Sequence, residues 1–311
     1  MIKKISIIVP VYNEAKNIEE LFNSINEVFK ALPEYVMSLL FVDDGSNDSS
    51  WEVISALSQK DSRISGLLLS RNFGKEMALT AGIEALGPND AVLCIDADLQ
   101  HPPTLIPVFI EKWEKGADIV VGIRKEVSDY SIVKRIGSKV FYKIMTKFSD
   151  INIPPNSTDF RLIDKKVVET LNRFSERTRM FRGLIDWLGF KRDLIEFAAP
   201  SRHNGGIPSY STKKLFNLAI NSFTSFSLLP LRLTGYLGIA VICFSCFLLS
   251  VMMITDFLDL QVFTLLAYFM VLNTFLVGVL LSAMGMMALY IGHIHTEVVG
   301  RPLYVIRERV N

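Results

Sequence analysis

The stretch Val92-Leu93-Cys94-Ile95-Asp96-Ala97-Asp98-Leu99-Gln100-His101-Pro102-Pro103 decides how this chain is read. Its first half is apolar and fits a buried strand. Its second half sets two carboxylates at the strand end and two prolines where the first turn of a following helix accepts them. Extended backbone projects residues two apart to the same side, so Asp96 and Asp98 are expected to face one cleft beyond the strand's carboxyl end. Open parallel sheets bind their ligands at that edge. Hard cations such as Mg2+ take oxygen ligands, commonly one or two carboxylates plus substrate phosphates, so this strand end suits a metal-diphosphate complex. An isolated Asp-x-Asp is equally an acidic turn on a soluble surface, and only its context separates the two.

Upstream, Ile5-Ser6-Ile7-Ile8-Val9-Pro10 fits a buried strand followed by the polar turn Tyr12-Asn13-Glu14. Ile18, Leu21, Phe22, Ile25, Val28 and Phe29 recur at helical spacing and predict a helix over 17–29. The pattern repeats as a strand at 38–42, a helix at 50–59, a strand at 64–69, a helix at 75–86, the central strand and a helix at 104–115. This alternation predicts an α/β fold, Rossmann-like, with a mostly parallel central sheet and helices on both faces. Residues 130–148 form a basic amphipathic pattern, either packed on the sheet or laid on an anionic membrane surface. A strand at 159–163 enters the same cleft, and helices at 165–174 and 179–188 precede a last strand at 194–198.

The formal net charge is +1 and no long Lys/Arg run stands out, so nucleic acid is not an expected partner. Cys94, Cys243 and Cys246 lie in apolar runs without a Cys/His pattern, which argues against disulfides and zinc and for a reducing compartment. The N-terminus runs directly into a strand without a signal peptide's apolar core, so residues up to about 230 are expected in the cytosol. Hydrophobic residues make up 50% of the chain, mean hydropathy is +0.32, and the excess lies after Leu228. Residues 233–254 and 262–291 carry no charged side chain, and each is long enough for a hydrocarbon core that needs ~20 residues. The segment joining them holds Asp256 and Asp259 but no Lys or Arg. Arg202, Lys213, Lys214 and Arg232 precede the pair, and Arg301, Arg307 and Arg309 follow it. The positive-inside rule then sets both termini in the cytoplasm. The expected organisation is a cytosolic domain over 1–209, an amphipathic juxtamembrane helix over 210–230, two transmembrane helices within 231–292 and a cytosolic tail over 293–311. Gly278 and Ser282 form a small-xxx-small pair suited to helix packing.

Four polar clusters end or follow the strands: Tyr12-Asn13-Glu14, Asp43-Asp44-Gly45-Ser46, Ser70-Arg71-Asn72-Phe73-Gly74-Lys75 and Asp96-Ala97-Asp98. In a parallel sheet all four lie along one edge, as in a nucleotide site assembled from separate loops. Asp43 is the candidate acceptor for base N–H or ribose hydroxyls, and Arg71 and Lys75 are candidates to offset diphosphate charge. Asp-Asp-Gly-Ser alone is equally a good turn, so the joint order carries the reading.

That order, with Val121-Gly122-Ile123-Arg124 and Asp159-Phe160-Arg161-Leu162 added, resembles the family 2 glycosyltransferases of GT-A fold. With the two C-terminal spans it is similar to the polyisoprenyl-phosphate glycosyltransferases that make bactoprenol-linked glucose. The resemblance implies that Pro10, Tyr12, Glu14, Asp43, Asp44, Arg71, Lys75, Ala97 and Gln100 border the nucleotide sugar. It implies that Asp96 and Asp98 hold the diphosphate through Mg2+ or Mn2+, with Asp98 the direct ligand, and that Asp159 is the catalytic base. Arg124 and Arg161 would face phosphate groups, and Arg202, His203, Ser209 and Tyr210 the lipid phosphate. Here Arg202 is one residue out of register with the family pattern, and Pro208 replaces a usual Ser.

The resemblance further implies an integral protein of the bacterial inner membrane that transfers a hexose, glucose, from a UDP-sugar to polyprenyl (undecaprenyl) phosphate with inversion. The product would serve cell-envelope glycan modification such as that of O-antigen. A homo-oligomer and a lipid-linked-sugar flippase are the implied protein partners. A phosphate monoester has a second pKa near ~6, so the nucleophile is already ionised and Asp159 is either a base or a group that orients an arginine or the acceptor. A GDP-mannose-dependent polyprenyl-phosphate mannose synthase is the nearest rival. A processive polysaccharide synthase lacks support because no Gln-x-x-Arg-Trp element is seen, and a non-catalytic scaffold is disfavoured by Asp96 and Asp98 together.

Overall fold

The computed structural model describes residues 2–125, 154, 156–174, 180–198, 258 and 265–311. The basic segment at 130–148, the juxtamembrane helix at 210–230 and the first span at 233–254 lie outside the described residues. In chain order the elements are β1 (Lys3–Val11), α1 (Ala15–Lys30), β2 (Tyr35–Asp43), α2 (Ser50–Lys60), β3 (Ile64–Leu69), α3 (Lys75–Ala85) and β4 (Ala91–Cys94). A 3-10 turn over Pro103–Leu105 then leads into α4 (Ile106–Glu114). After it come β5 (Ile119–Arg124), β6 (Ser157–Asp164), α5 (Lys165–Leu171), α6 (Phe181–Trp187), β7 (Arg192–Phe197), α7 (Leu265–Val299) and β8 (Ile306–Val310).

The central strands are buried almost continuously, with successive residues entering opposite cores, as a sheet covered on both faces requires. In β4, Ala91 and Leu93 join one core with Ile5, Ile7 and Val9, on which α1 lays Ile18, Leu21, Ile25 and Phe29. Val92 and Cys94 join the other core with Ile8, Leu79, Val121 and Ile163. Apolar area removed from water on both faces drives this arrangement, at roughly 25 cal/mol per Å2.

Among the described residues, eight strands form one sheet in the order β7-β5-β6-β4-β1-β2-β3-β8. The segment β3-β2-β1-β4 is parallel, as expected. The sheet as a whole is mixed rather than mostly parallel, because β6 runs antiparallel to both β4 and β5, and β8 antiparallel to β3. Apolar alternation identifies a strand but not its direction. The direction of β6 matters for the site. Its register pairs Ala91 with Asp164 and Cys94 with Arg161, and carried two residues further it sets Asp159 level with Asp96.

The expected cytosolic tail contributes a strand of the sheet. Val305 O accepts from Ser70 N at 2.8 Å, the Tyr304 hydroxyl donates to Glu84 Oε2 at 2.6 Å, and β8 covers the edge of β3. The second predicted span overlaps α7, whose 35 residues end at Val299. Judged on the described residues, no helix is long and apolar enough to cross a membrane, so the fold does not establish the hairpin.

Gly82 lies where α3 meets the sheet, and a Cβ there would come within 2.6 Å of Ile8 Cγ2. Gly82→Ala is therefore expected to destabilise the domain by about 1–3 kcal/mol through overpacking, read as a lower thermal unfolding midpoint.

Candidate active site

The strand ends carry loops that hold one another in place. Asn13 N donates to Ser46 Oγ at 2.9 Å and Asn47 N to Asn13 Oδ1 at 2.8 Å, which ties the loop after β1 to the loop after β2. Asp44 ties the latter to the β3–α3 loop, accepting from Phe73 N at 2.7 Å and Gly74 N at 2.9 Å. Gly45 has φ +69°, and a Cβ on it would lie 2.5 Å from the Arg71 carbonyl carbon, so this junction requires glycine. The Asp44 carboxylate thus serves the loop rather than facing a nucleotide.

Asp43 has a different environment. It is fully buried; Oδ1 accepts from Ser46 N at 2.7 Å, while Oδ2 has no hydrogen-bond partner among the described residues. Burial pushes its carboxyl above the usual range, partly opposed by the Ser46 amide. A buried acceptor of this kind suits an N–H or O–H donor brought to it. Tyr12 and Arg71 are exposed beside these loops, with the Arg71 guanidinium 4.0 Å over the Phe73 ring, and Pro10 and Glu14 are partly buried at the end of β1.

The chemistry-bearing cluster lies beyond β4. Lys75, the first residue of α3, contacts Asp96 Oδ1 at 2.7 Å and Asp159 Oδ2 at 2.6 Å. Arg182 from α6 grips Asp159 with Nε on Oδ1 at 2.6 Å and Nη2 on Oδ2 at 2.9 Å, and its Nη1 donates to Ser157 O at 3.1 Å. Burial alone would raise the Asp159 carboxyl. Arg182 and Lys75 outweigh it and hold the group well below the usual range. For Asp96, burial is likewise outweighed, chiefly by Lys75, so it too is lowered. Lys75 is raised because Asp159 and Asp96 overcome the effect of burial.

His101 supports the strand end from beneath. Its Nδ1 accepts from Asp96 N at 3.2 Å, which leaves the ring proton on Nε2. Its ring stacks on Phe160 with centroids 5.1 Å apart, and burial lowers its pKa so that it stays neutral. Asp98 Oδ1 accepts from Gln100 N at 3.2 Å, and Gln100 Oε1 accepts from Arg124 Nη2 at 2.8 Å. Asp96 and Asp98 are both partly exposed, and Ala97 between them is buried. Two carboxylates at one strand end suit a hard cation that completes its shell with diphosphate oxygens and water. Among the described residues no group of three or more His, Cys, Asp or Glu could hold a metal alone.

Arg161 corrects the expectation that it faces phosphate. It is 0% exposed, its Nε donates to Thr158 O at 3.0 Å, and its Nη1 lies 3.6 Å from Asp186 Oδ1. Packing against α6 makes it part of an interior ion pair. Arg202, His203, Ser209 and Tyr210 lie outside the described residues. Arg182 was not foreseen, since nothing in Met180-Phe181-Arg182-Gly183 marks it. Glu76 was missed as well: its Oε2 accepts from Phe181 N at 2.6 Å and fixes the start of α6.

Residues 6–171 match the family described as Glycosyl transferase family 2. The chain belongs to this family. This glycosyltransferase is 40% identical over 309 residues to the SfII prophage-derived bactoprenol glucosyl transferase of Shigella flexneri, covering 98% of each chain. It is 39% identical over 311 residues to an uncharacterized glycosyltransferase of Synechocystis, covering 98% of this chain and 95% of that one. Among solved structures, a glucosyl-3-phosphoglycerate synthase of Mycobacterium tuberculosis matches at 14% identity over 71% of this chain and 79% of that one. Its TM-score is 0.48, a likeness too distant to carry substrate or metal across.

Because the folded state raises the Asp43 pKa, the ionised carboxylate costs stability at neutral pH, and the fold gains stability as pH falls through the raised value. The glycosyltransferase carrying Asp43→Asn is therefore expected to show a higher unfolding midpoint at pH 7. It should bind its donor about 10- to 100-fold more weakly, measured by calorimetric titration, since a hydrogen bond to a charged group is lost.

Proposed function

We propose that this glycosyltransferase moves glucose from a UDP-sugar to polyprenyl phosphate at the cytoplasmic face of a membrane. The observation that carries the reading is the similarity to bactoprenol glucosyl transferases, which runs through 98% of both chains, including everything beyond the family 2 domain. The loops around the Asp43 acceptor suit a nucleotide base, and the strand end at Asp96 and Asp98 suits its diphosphate.

In this reading a phosphate oxygen of the acceptor forms a bond to the anomeric carbon while the bond from that carbon to the diphosphate breaks. The configuration inverts and UDP leaves with the bonding pair. Asp96 and Asp98 would hold Mg2+ or Mn2+ with the donor, and the ion supplies charge stabilisation to the leaving diphosphate. Lys75 adds a fixed positive charge at the same place, and preorganised charge of this kind is usually the largest catalytic term. His101 holds the Asp96 backbone N–H, and the Gln100 backbone N–H holds the Asp98 carboxylate.

The acceptor's tail requires a lipid surface. From Leu265 to Thr296 the chain carries no Asp, Glu, Lys or Arg, and residues 233–254 are likewise uncharged. Leu266, Phe269, Leu276, Leu280, Met284 and Ile291 are exposed on α7, which suits burial in hydrocarbon.

The test is transfer of radiolabel from UDP-glucose, UDP-galactose or GDP-mannose to undecaprenyl phosphate by the full-length protein. UDP-glucose should be the preferred donor, UDP but not GDP should compete, and chelation should stop turnover until Mg2+ or Mn2+ is restored. Asp98→Asn should lower kcat by about 100- to 1000-fold, the range for losing one transition-state electrostatic partner. Preferential use of GDP-mannose, or no label in lipid, would overturn the reading.

A further inference from the structure

The resemblance casts Asp159 as a base, yet its surroundings are those of a fixed anion. Its side chain is 2% exposed, Arg182 occupies Oδ1, and Arg182 with Lys75 occupies Oδ2. A general base must itself come within hydrogen-bond reach of the proton it takes. Within the cluster Lys75 at 29%, Arg182 at 31% and Asp96 at 23% are partly exposed, and Asp159 is the buried member. The start of α6 is also tied to α3 directly, through Phe181 N on Glu76, the neighbour of Lys75.

We propose that Arg182 is a positioning residue: its forked contact fixes Asp159, and Asp159 holds the Lys75 ammonium against Asp96, where it meets the leaving diphosphate. The inference rests on the reading of this cleft as a glycosyl-transfer site. No proton passes to Asp159, and none needs to, because a phosphate monoester with a second pKa near ~6 arrives already ionised. Arginine is required because its planar fork spans both carboxylate oxygens and leaves Nη1 for the Ser157 carbonyl, whereas a lysine offers one point of contact. Among the described residues, the charged groups facing Asp159 are Lys75 and Glu76 from α3, Arg182 from α6, Arg161 from β6 and Asp96 beyond β4, and the titratable neutral group is His101.

The experiment compares full-length Arg182→Gln, Arg182→Lys, Asp159→Asn and the Arg182→Gln/Asp159→Asn double variant between pH 6 and 9. Each single variant should lose about 100-fold in kcat, as misplaced groups commonly do, by the same factor at every pH and with donor KM little changed. The double variant should be no worse than the poorer single one, because the residues act as a unit. Arg182→Lys should also fall short, and it preserves the charge if the Gln variant does not fold. A base at Asp159 gives the opposite pattern: freed of Arg182 it becomes more basic, so Arg182→Gln would equal or exceed the wild type as pH rises. That outcome, or losses that multiply in the double variant, overturns the proposal. Acylation of Lys75, read by peptide mass spectrometry, does not depend on turnover. It should increase in Arg182→Gln and Asp159→Asn, and unchanged labelling overturns the inference. Absence of sugar transfer by the wild type would instead overturn the function proposed above.

Discussion

Two carboxylates from neighbouring chain segments converge in this cleft, and a lysine from a third element bridges them. Asp96 and Asp159 approach because β6 runs antiparallel to β4, with a register that sets them level. Like charges this near would raise one another's pKa and drive one carboxyl neutral. Lys75 between them and the Arg182 fork on Asp159 reverse that outcome, so both stay ionised. Removing a partner from such a cluster leaves an uncompensated, poorly hydrated charge, which makes its members depend on one another.

The donor side of the cleft is organised by the same economy of contacts. Asp44 and Asp43 are consecutive, yet one anchors the β3–α3 loop and the other keeps an oxygen open. That loop begins at Ser70, whose amide donates to Val305 in the returning C-terminal segment. The C-terminal segment after α7 therefore braces the loop that carries Arg71 and presents Lys75.

Family membership and site geometry bear on different questions. The match over residues 6–171 identifies a glycosyltransferase, and the relatives similar over 98% of the chain are what the proposal of a lipid acceptor rests on. Neither reveals how charge is arranged around Asp159. The arrangement shown by the side chains favours an orienting carboxylate, one of the two roles that the ionisation state of a phosphate acceptor leaves open.

Residue pattern alone determined much of this protein. Strand and helix positions followed from apolar spacing, and the placing of Asp43, Asp96 and Asp98 at strand ends followed from where those apolar runs stop. Strand direction did not, because side-chain alternation is the same whichever way a strand runs. Only the tertiary structure could therefore set Asp159 beside Asp96, turn Arg161 inward to Asp186 and bring Arg182 to the cleft across more than twenty residues of chain. It also recruited residues 306–310 as an edge strand, which so short and charged a segment does not announce. Local sequence encodes which residues are apolar and where the chain turns. Which charges meet is decided by the register of strands distant in sequence, and that is a property of the packed sheet.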